Sequence, residues 1–208
     1  GSGGIDLGEI FDGLFGGGAG PRPSGNFQSR PQAAPPKGAN IAYEHLVSFT
    51  DAATLAPQRI TLQDGKTVEF KLPKGLVAGQ QIRIPGKGHT GPGGQGDAMV
   101  TLKIGKHPFY ERDGDHIRVD VPISLKEALQ GGKIKVPTIE GAVMLTVPQS
   151  AQSGATLRIK GRGFTAKSGA RGDQLVTLQI ALPTDPTERQ RLADMLADDD
   201  NIRAALGV

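Results

Sequence analysis

From residue 40 onward, apolar and polar residues alternate with a period of two in several short stretches. Successive side chains of an extended strand point to opposite faces, so this alternation predicts strands with one buried face. Turn-forming sequences, among them QDGK, LPKG, RDGD and ALQGG, separate the stretches and predict a small, mostly antiparallel arrangement. The apolar positions of the four clearest strands are Val68, Phe70 and Leu72; Val100, Leu102 and Ile104; Val143, Leu145 and Val147; and Val176, Leu178 and Ile180.

Helical spacing is confined to the stretches SFTDAA and SLKEAL and to the C-terminal region. At the C-terminus, Asp185 or Thr184 is placed to cap a helix that has Pro186 in its first turn. An isolated helix of this length is marginal in water, so its apolar stripe is expected to pack against another surface. The stripe, at positions i, i+3 and i+4, consists of Leu192, Met195 and Leu196.

The sequence IRIPGKGHTGPGGQGD, which begins at Ile82, returns as LRIKGRGFTAKSGARGD, which begins at Leu157. The strands that follow, GDAMVTLKI and GDQLVTLQI, return in the same order after one extra residue in the second loop. A repeat that spans a whole supersecondary unit, with its length change in a glycine-rich turn, predicts two related modules in tandem.

The glycines and basic residues of this repeated loop raise the alternative of a phosphate-binding loop. The loop does not match G-x-x-x-x-G-K-[ST], and it connects a strand to a strand without the helix N-terminus that such sites use. Glycines beside strands usually mark bulges and tight bends. A structural turn is therefore the favoured interpretation.

Residues 1–39 differ from the rest of the chain, because Gly, Pro, Ser and Ala dominate them. Such a segment buries too little apolar surface to offset chain entropy and is expected to be a flexible linker. A transient docking helix is favoured over a plain spacer at residues 5–15. The apolar residues that fall at helical spacing there are Leu7, Ile10, Phe11, Leu14 and Phe15.

The composition limits the classes of function. The chain has 208 residues, 22% of them charged and 4% aromatic, which suits two small cores. It has no cysteine, so disulfides, zinc–thiolate sites and cysteine nucleophiles are excluded. No apolar run approaches membrane-spanning length and no signal-peptide pattern is present, so a cytoplasmic protein without a membrane partner is expected. A net charge of +3 is too small to indicate nucleic acid by itself.

Side chains that could support catalysis show no catalytic spacing. No serine lies in a G-x-S-x-G elbow, and the acidic run at 198–200 is typical of a solvated helix end. The histidines, which lack H-x-x-x-H and H-E-x-x-H spacing, are His45, His89, His107 and His116. Neither an enzyme nor a metal site is therefore expected.

Several motifs, taken in order, resemble the C-terminal substrate-binding region of DnaJ-family J-domain co-chaperones. They are EIFDGLFGGG, LPKGLVAGQQIRIPGKG, HPFYERDGDHIRVDVPISLKEALQGGKIKVPTIEG and VPQSAQSGATLRIKGRGF, and the likeness covers nearly the whole chain. The resemblance implies an all-β dominated fold of two tandem β-sandwich domains, which agrees with the repeated loop. It implies a linker at 1–39, a client-binding sandwich at 40–112, a second sandwich at 113–183 and a dimerisation helix at 184–208.

Two elements of that family have no counterpart in this sequence. The C-x-x-C-x-G-x-G zinc repeats of one class are replaced by APQRITLQDGK, so the chain resembles the zinc-free, CbpA-like class, and neither zinc nor another cofactor is expected. The J-domain with its His-Pro-Asp tripeptide is also absent, since the only His-Pro is followed by Phe109. The chain is expected to be a fragment that does not stimulate the ATPase of a DnaK-type chaperone alone.

The resemblance implies binding of unfolded or misfolded polypeptides and their delivery to a DnaK-type chaperone. A client segment would add to the sheet as a strand, with its alternate side chains in pockets. The residues that align with the family's apolar client groove are Ile41, Tyr43, Ile60, Leu62 and Tyr110. For Ile60 and Leu62, core and groove positions are equally open alternatives. Tyr110, which has charged neighbours, is expected to be partly exposed, and His45 stands where the family usually has an aliphatic residue.

The resemblance also implies a homodimer joined through Leu192, Met195 and Leu196, with packing onto the second sandwich of the same chain as the alternative. Because CbpA-like relatives are associated with curved DNA, a DNA-binding protein is the second functional alternative. The basic residues that could contact phosphates are Lys87, Lys103, Lys106, Lys133, Lys135, Lys160, Arg162, Lys167 and Arg171. They are spread among strands, so any DNA binding is expected to be non-specific and salt-sensitive.

Overall fold

The computed structural model describes residues 34–197 and Leu206. The predicted docking helix at residues 5–15 lies outside the described residues, as does the acidic run at 198–200. Strands dominate the described part and form several small sheets, joined by three short helices. The predicted all-β dominated fold is confirmed.

The first module contains seven strands and one helix in the order β1 (Ile41–Val47), α1 (Phe49–Thr54), β2 (Gln58–Thr61), β3 (Thr67–Phe70), β4 (Gln81–Ile84), β5 (Thr90–Gly91), β6 (Gly94–Gln95) and β7 (Ala98–Ile104). The remaining elements are β8 (Glu111–Asp113), β9 (His116–Ser124), α2 (Leu125–Gln130), β10 (Gly132–Thr138), β11 (Gly141–Val147), β12 (Thr156–Ile159), β13 (Gln174–Ala181) and α3 (Pro186–Met195).

Both modules use the same strand order. In the first, the sheet β1-β7-β4 accompanies the hairpin β2-β3; in the second, the sheet β12-β13-β9-β8 accompanies the hairpin β10-β11. Each module has one parallel pair, β1 with β7 and β9 with β13, in an otherwise antiparallel arrangement. The predicted boundary between residues 112 and 113 falls inside β8, which pairs with β9, and stays a prediction.

The strand register identifies equivalent residues in the two modules. Ile41 pairs with Ala98 in the first parallel pair, and Ile117 pairs with Gln174 in the second. The alternating burial of these strands follows the sequence pattern, because Val100, Leu102, Val176 and Leu178 are fully buried in one hydrophobic cluster. The registers of the two parallel pairs agree with the prediction of two related modules.

The helices that follow β1 and β9 each begin at an equivalent serine. The Ser48 hydroxyl accepts the backbone N–H of Asp51 and so caps α1. The Ser124 hydroxyl accepts the Glu127 N–H, and the Glu127 carboxylate accepts the Ser124 N–H in return, which satisfies two donors that the first turn leaves unpaired. These caps explain why helices of six residues form at these two places.

The repeated glycine-rich loops are held by their own aspartates. Asp97 Oδ1 accepts the Gly86 N–H at 2.9 Å, and Asp173 Oδ1 accepts the Gly161 N–H at 2.8 Å. Both glycines have positive φ, 65° and 67°, which side chains rarely adopt. The hydrogen bond from Gly86, with the nearby Arg83 guanidinium, lowers the pKa of Asp97. In each loop a carboxylate of the chain itself thus accepts one backbone N–H, which supports the structural-turn interpretation.

Aromatic residues join the two modules. Phe49 of α1 packs edge-on against Phe164 of the β12–β13 loop, with ring centroids 5.1 Å apart, and Tyr110 stacks on Phe49 at 6.1 Å. Beside them, the Gly75 N–H donates to the Thr165 carbonyl at 2.9 Å. Tyr110 is 5% exposed, so the prediction that it is partly exposed is wrong. Its ring fills the junction between modules, where desolvation raises its pKa.

The C-terminal helix α3 begins at the cap Asp185, whose side chain accepts the Glu188 N–H, and Pro186 occupies its first turn as predicted. Its apolar stripe is largely uncovered: Leu192 is half-buried, whereas Met195 is 82% and Leu196 69% exposed. Among the described residues, no helix is long and apolar enough to cross a membrane.

Candidate functional site

A groove of about 330 Å³ opens on the first module between β1, the β2–β3 turn and the glycine-rich loop. Ile41, Tyr43 and Leu62 form its apolar wall. The structure therefore brings together three of the five residues that were predicted to line a binding groove.

The alternation of β1 places its side of this wall. Ile41 and Tyr43 lie two residues apart, share one sheet face and are both half-buried. The Tyr43 hydroxyl accepts the backbone N–H of Gln63 at 3.2 Å, which fixes the ring against the turn that follows β2. Leu62 is 5% exposed, so it supplies the floor of the groove, and most of its surface belongs to the core.

The rim of the groove is polar and includes three residues of basic type. Lys66 comes from the β2–β3 turn, and Lys87 and His89 come from the glycine-rich loop. Lys66 is paired with Asp64 at 3.7 Å, with both side chains more than half exposed, so this pair contributes little stability. The rim residues Lys87 and His89 were not predicted to line the groove: Lys87 was considered only as a possible DNA contact, and His89 only as a possible metal ligand.

The other two predicted groove residues lie elsewhere. Ile60 is 7% exposed and packs in the core, and Tyr110 is buried at the junction between the modules. His45 shares the face of Ile41 and Tyr43, but its Nε2 lies 3.1 Å from Gln58 Oε1 and its ring contacts Phe70 edge-on at 5.4 Å. It packs on the β2–β3 hairpin and does not line the groove.

The neighbouring hairpin leaves hydrogen-bonding capacity beside the groove. Within residues 34–197, β2 pairs with β3 along one edge, and no strand pairs with its other edge. An unpaired strand edge is a template for a further extended segment. An apolar wall, a polar rim and a free strand edge together suit an extended chain rather than a compact small molecule.

A second concave surface lies at the C-terminal end of the second module. It has a volume of about 830 Å³ and is lined mainly by apolar side chains of α2, α3 and the segment after β13. Three of them are strongly exposed, Leu129 at 59%, Leu182 at 64% and Met195 at 82%. Exposed apolar patches of this kind mark interaction surfaces.

Several basic side chains are neutralised by neighbours. Lys103 pairs with Glu44 at 2.6 Å, and Arg118 pairs with Asp113 at 2.7 Å. Arg162 and Arg171 both pair with Glu140. In the part of the chain that the structure describes, no group of His, Asp and Glu side chains has the arrangement of a metal site.

Comparison with known proteins matches residues 37–183 to the family model described as DnaJ C terminal domain. The Curved DNA-binding protein of Pseudomonas putida strain F1 is 30% identical over 204 residues, which cover 90% of this chain and 64% of that protein. The Chaperone protein DnaJ of Oceanobacillus iheyensis is 39% identical over 134 residues, 63% of this chain and 36% of that protein. The Chaperone protein DnaJ 2 of Mycolicibacterium paratuberculosis is 42% identical over 120 residues, 57% of this chain and 31% of that protein. The chain thus spans less than two thirds of the length of these relatives.

Proposed function

Because the chain belongs to the DnaJ C-terminal domain family, we propose that it holds unfolded or misfolded polypeptides in the groove of the first module and delivers them to a DnaK-type chaperone. The observation that carries the proposal is the wall formed by Ile41, Tyr43 and Leu62 beside the unpaired edge of β2. A binding role, without catalysis, agrees with relatives that are named as chaperones and as a DNA-binding protein.

Strand addition would give such a groove broad selectivity. The client backbone would supply hydrogen bonds that every sequence offers, and its alternate side chains would meet the apolar wall. Burial of one large apolar side chain yields roughly 1.5–3 kcal/mol. Two or three such anchors, less the ordering of the client, leave dissociation constants of about micromolar or weaker. Weak binding suits a protein that must release its client.

The apolar surface between α2 and α3 supports a homodimer as part of this function. Two protomers joined there would offer two weak grooves to one client, and the second contact would form at a high effective concentration. The homodimer and the delivery step are both parts of the proposal.

The groove is tested by replacing Ile41, which is half-buried, and leaving the buried Ile60 and Leu62 in place. Ile41→Ser is expected to weaken binding of an unfolded model polypeptide at least about fivefold, because one apolar anchor is lost. Leu46→Ser is the matched control, since Leu46 lies on the opposite face of the same strand and is 69% exposed. Equal binding by the two folded variants would rule out this groove as the client site.

DNA binding is the second candidate function, and the observation in its favour is the likeness to a relative named Curved DNA-binding protein. The basic residues of the strands and loops would contact phosphates without reading bases. Pairing of Lys103 with Glu44 and of Arg162 with Glu140 reduces the charge available for this role. Client binding is therefore preferred.

A further inference from the structure

The second module has counterparts of the apolar wall and of the rim of the groove. The strand registers and the equivalent loop hydrogen bonds place Arg162 of the second module where the first has Lys87. The counterparts of Ile41, Tyr43 and Leu62 are Ile117, Val119 and Thr138, which are 0%, 3% and 7% exposed. The surface that is open in the first module is thus closed in the second.

An ion-pair latch, formed by Glu140, Arg162 and Arg171, bridges the two rims of this surface. Glu140 lies in the turn between β10 and β11, and each of its carboxylate oxygens contacts one arginine of the β12–β13 loop. In the first module the acidic residue of the corresponding turn, Asp64, pairs with Lys66 of the same turn. The two rims are therefore bridged in the second module but not bridged by these residues in the first.

The latch resembles a preformed carboxylate site. Arg171 also donates through Nε and Nη2 to the Gly163 carbonyl, at 3.1 and 2.9 Å, so its guanidinium is held in a fixed orientation. Its side chain is 27% exposed, that of Glu140 33% and that of Arg162 35%. Two arginines converging on one carboxylate in a partly desolvated place form a strong and geometrically specific anion contact.

A buried polar atom lies beside this closed surface. Gln174 is 0% exposed and donates through Nε2 to the Pro137 carbonyl at 2.8 Å, next to Thr138. Its Oε1 has no hydrogen-bond partner among the described residues. Buried side-chain oxygens are rarely left unpaired, so this oxygen is an unused acceptor, which an N–H donor could reach only after the latch opens.

We propose that the second module contains a self-occluded binding site for an extended polypeptide segment that carries an acidic side chain. Glu140 occupies the place of the ligand carboxylate on Arg162 and Arg171, and a ligand that displaces it gains the same two charged contacts. The site extends the proposed polypeptide binding to a second position in the chain and rests on it for the mode of strand addition.

Glu140 competes with a ligand because it is tethered to the site. An intramolecular group acts at an effective concentration that is of millimolar order for short connections. A ligand of weak intrinsic affinity is therefore excluded until the latch carboxylate is removed, and a neutral ligand gains little from the vacated arginines. These two consequences give the proposal its test.

The test measures binding of a short fluorescent peptide, a central Glu between leucines, and of its Gln counterpart. Measurements use the full chain in the Ile41→Ser background, which weakens binding at the first groove. Adding Glu140→Gln is expected to tighten binding of the Glu peptide by about tenfold or more, because the tethered competitor is lost, and binding of the Gln peptide by less than about threefold. The matched control, Asp113→Asn, removes a carboxylate from the exposed pair with Arg118 in the same module and is expected to change neither affinity.

Equal affinities with and without Glu140→Gln in folded protein, or equal gains for both peptides, would overturn the latched site. Cooperative unfolding shows that the Glu140→Gln variant is folded. If the variant fails this check, Glu140→Asp replaces it, because the shorter side chain cannot reach both arginines. An intermediate gain in affinity for the Glu peptide is then expected. Repeating the comparison of proteins with and without Glu140→Gln, now with Ile41 intact, separates the proposal of the latched site from the proposal of the first groove. If Ile41→Ser leaves client binding unchanged, the first groove is wrong, while the effect of Glu140→Gln still decides the second.

Discussion

The guanidinium of Arg112, in β8 of the second module, lies 4.0 Å from the centre of the Phe164 ring of the same module. Its Nη1 donates to the Leu76 carbonyl of the first module at 2.8 Å. Burial lowers the pKa of Arg112, which nonetheless remains charged at neutral pH. One side chain thus bonds to one module and covers an aromatic ring of the other.

Arg112 and Phe164 are expected to be energetically coupled. Arg112→Met and Phe164→Leu should each destabilise the protein, and the double variant should lose about 1 kcal/mol less than the sum, because a partly desolvated cation–π contact is worth about that much. Urea unfolding of the four proteins measures the coupling. Arg118→Met, at an arginine whose side chain is 54% exposed, should show no coupling to Phe164→Leu. Strict additivity of Arg112 and Phe164 would show that this contact does not contribute to the stability of the protein.

The carboxylate of Asp97 is expected to make stability depend on pH. Its pKa is lowered in the folded protein, chiefly by the Gly86 N–H, so its contribution is present above the unfolded pKa of about 4 and is lost as the pH falls through the folded value. Asp97→Asn should therefore be less stable than the parent protein at pH 6, and the difference should shrink below about pH 4.

Denaturant unfolding at a series of pH values measures this difference. Asn40→Ala is the control, because the Asn40 side chain accepts the Asp97 backbone N–H at 2.8 Å and does not titrate. Its cost in unfolding free energy should stay constant over the same range. A constant difference for Asp97→Asn would show that this carboxylate does not supply the dependence.

The proposed homodimer is expected to depend on the apolar stripe of α3. Truncation after Pro183, or Leu192→Glu, should convert a dimer at micromolar concentration to a monomer in sedimentation, because a charge would be buried without a partner. Ala193→Glu is the control, since Ala193 is exposed and does not line the apolar surface. An intact chain that is already a monomer, or a truncated chain that stays a dimer, would contradict the assignment.

DNA affinity, where measured, is expected to be non-specific and to fall with salt. Each neutralised phosphate contributes a slope of about −0.9 in log K against log salt concentration. Salt titrations on a curved duplex and on a straight duplex of equal length should give the same slope. A salt-insensitive complex with one sequence would instead favour DNA as the principal ligand.

Much of the fold could be predicted because local and repeated signals agree. Alternation predicted the strands, the repeated loop predicted two modules, and the sequences beginning at Ser48 and Ser124 predicted the short helices. The parallel pairing of β1 with β7 could not be predicted in this way, because strands that are distant in sequence pair through tertiary packing, which alternation does not encode.

The binding groove could be predicted only in part. Ile41 and Tyr43 share one face by simple parity, and the resemblance supplied Leu62. The exposure of Tyr110 was predicted wrongly because charged neighbours in sequence do not determine exposure when Phe49, His107 and Phe109 pack around the ring. Whether Ile60 lies in the core or in the groove also depends on how closely the hairpin β2-β3 packs against the sheet that contains β1. The sequence does not specify this packing.

The placement of Tyr43 and Tyr110 gives the molecule two native optical reporters. The chain has two tyrosines and no tryptophan, so its near-ultraviolet absorption and emission come chiefly from these two phenols. One lines the groove and the other is buried between the modules. In a Tyr110→Phe variant, emission changes on adding a non-fluorescent peptide would come from the groove, and in Tyr43→Phe they would come from the junction. Occupancy of the groove and changes in packing between the modules can thus be followed separately without an attached dye.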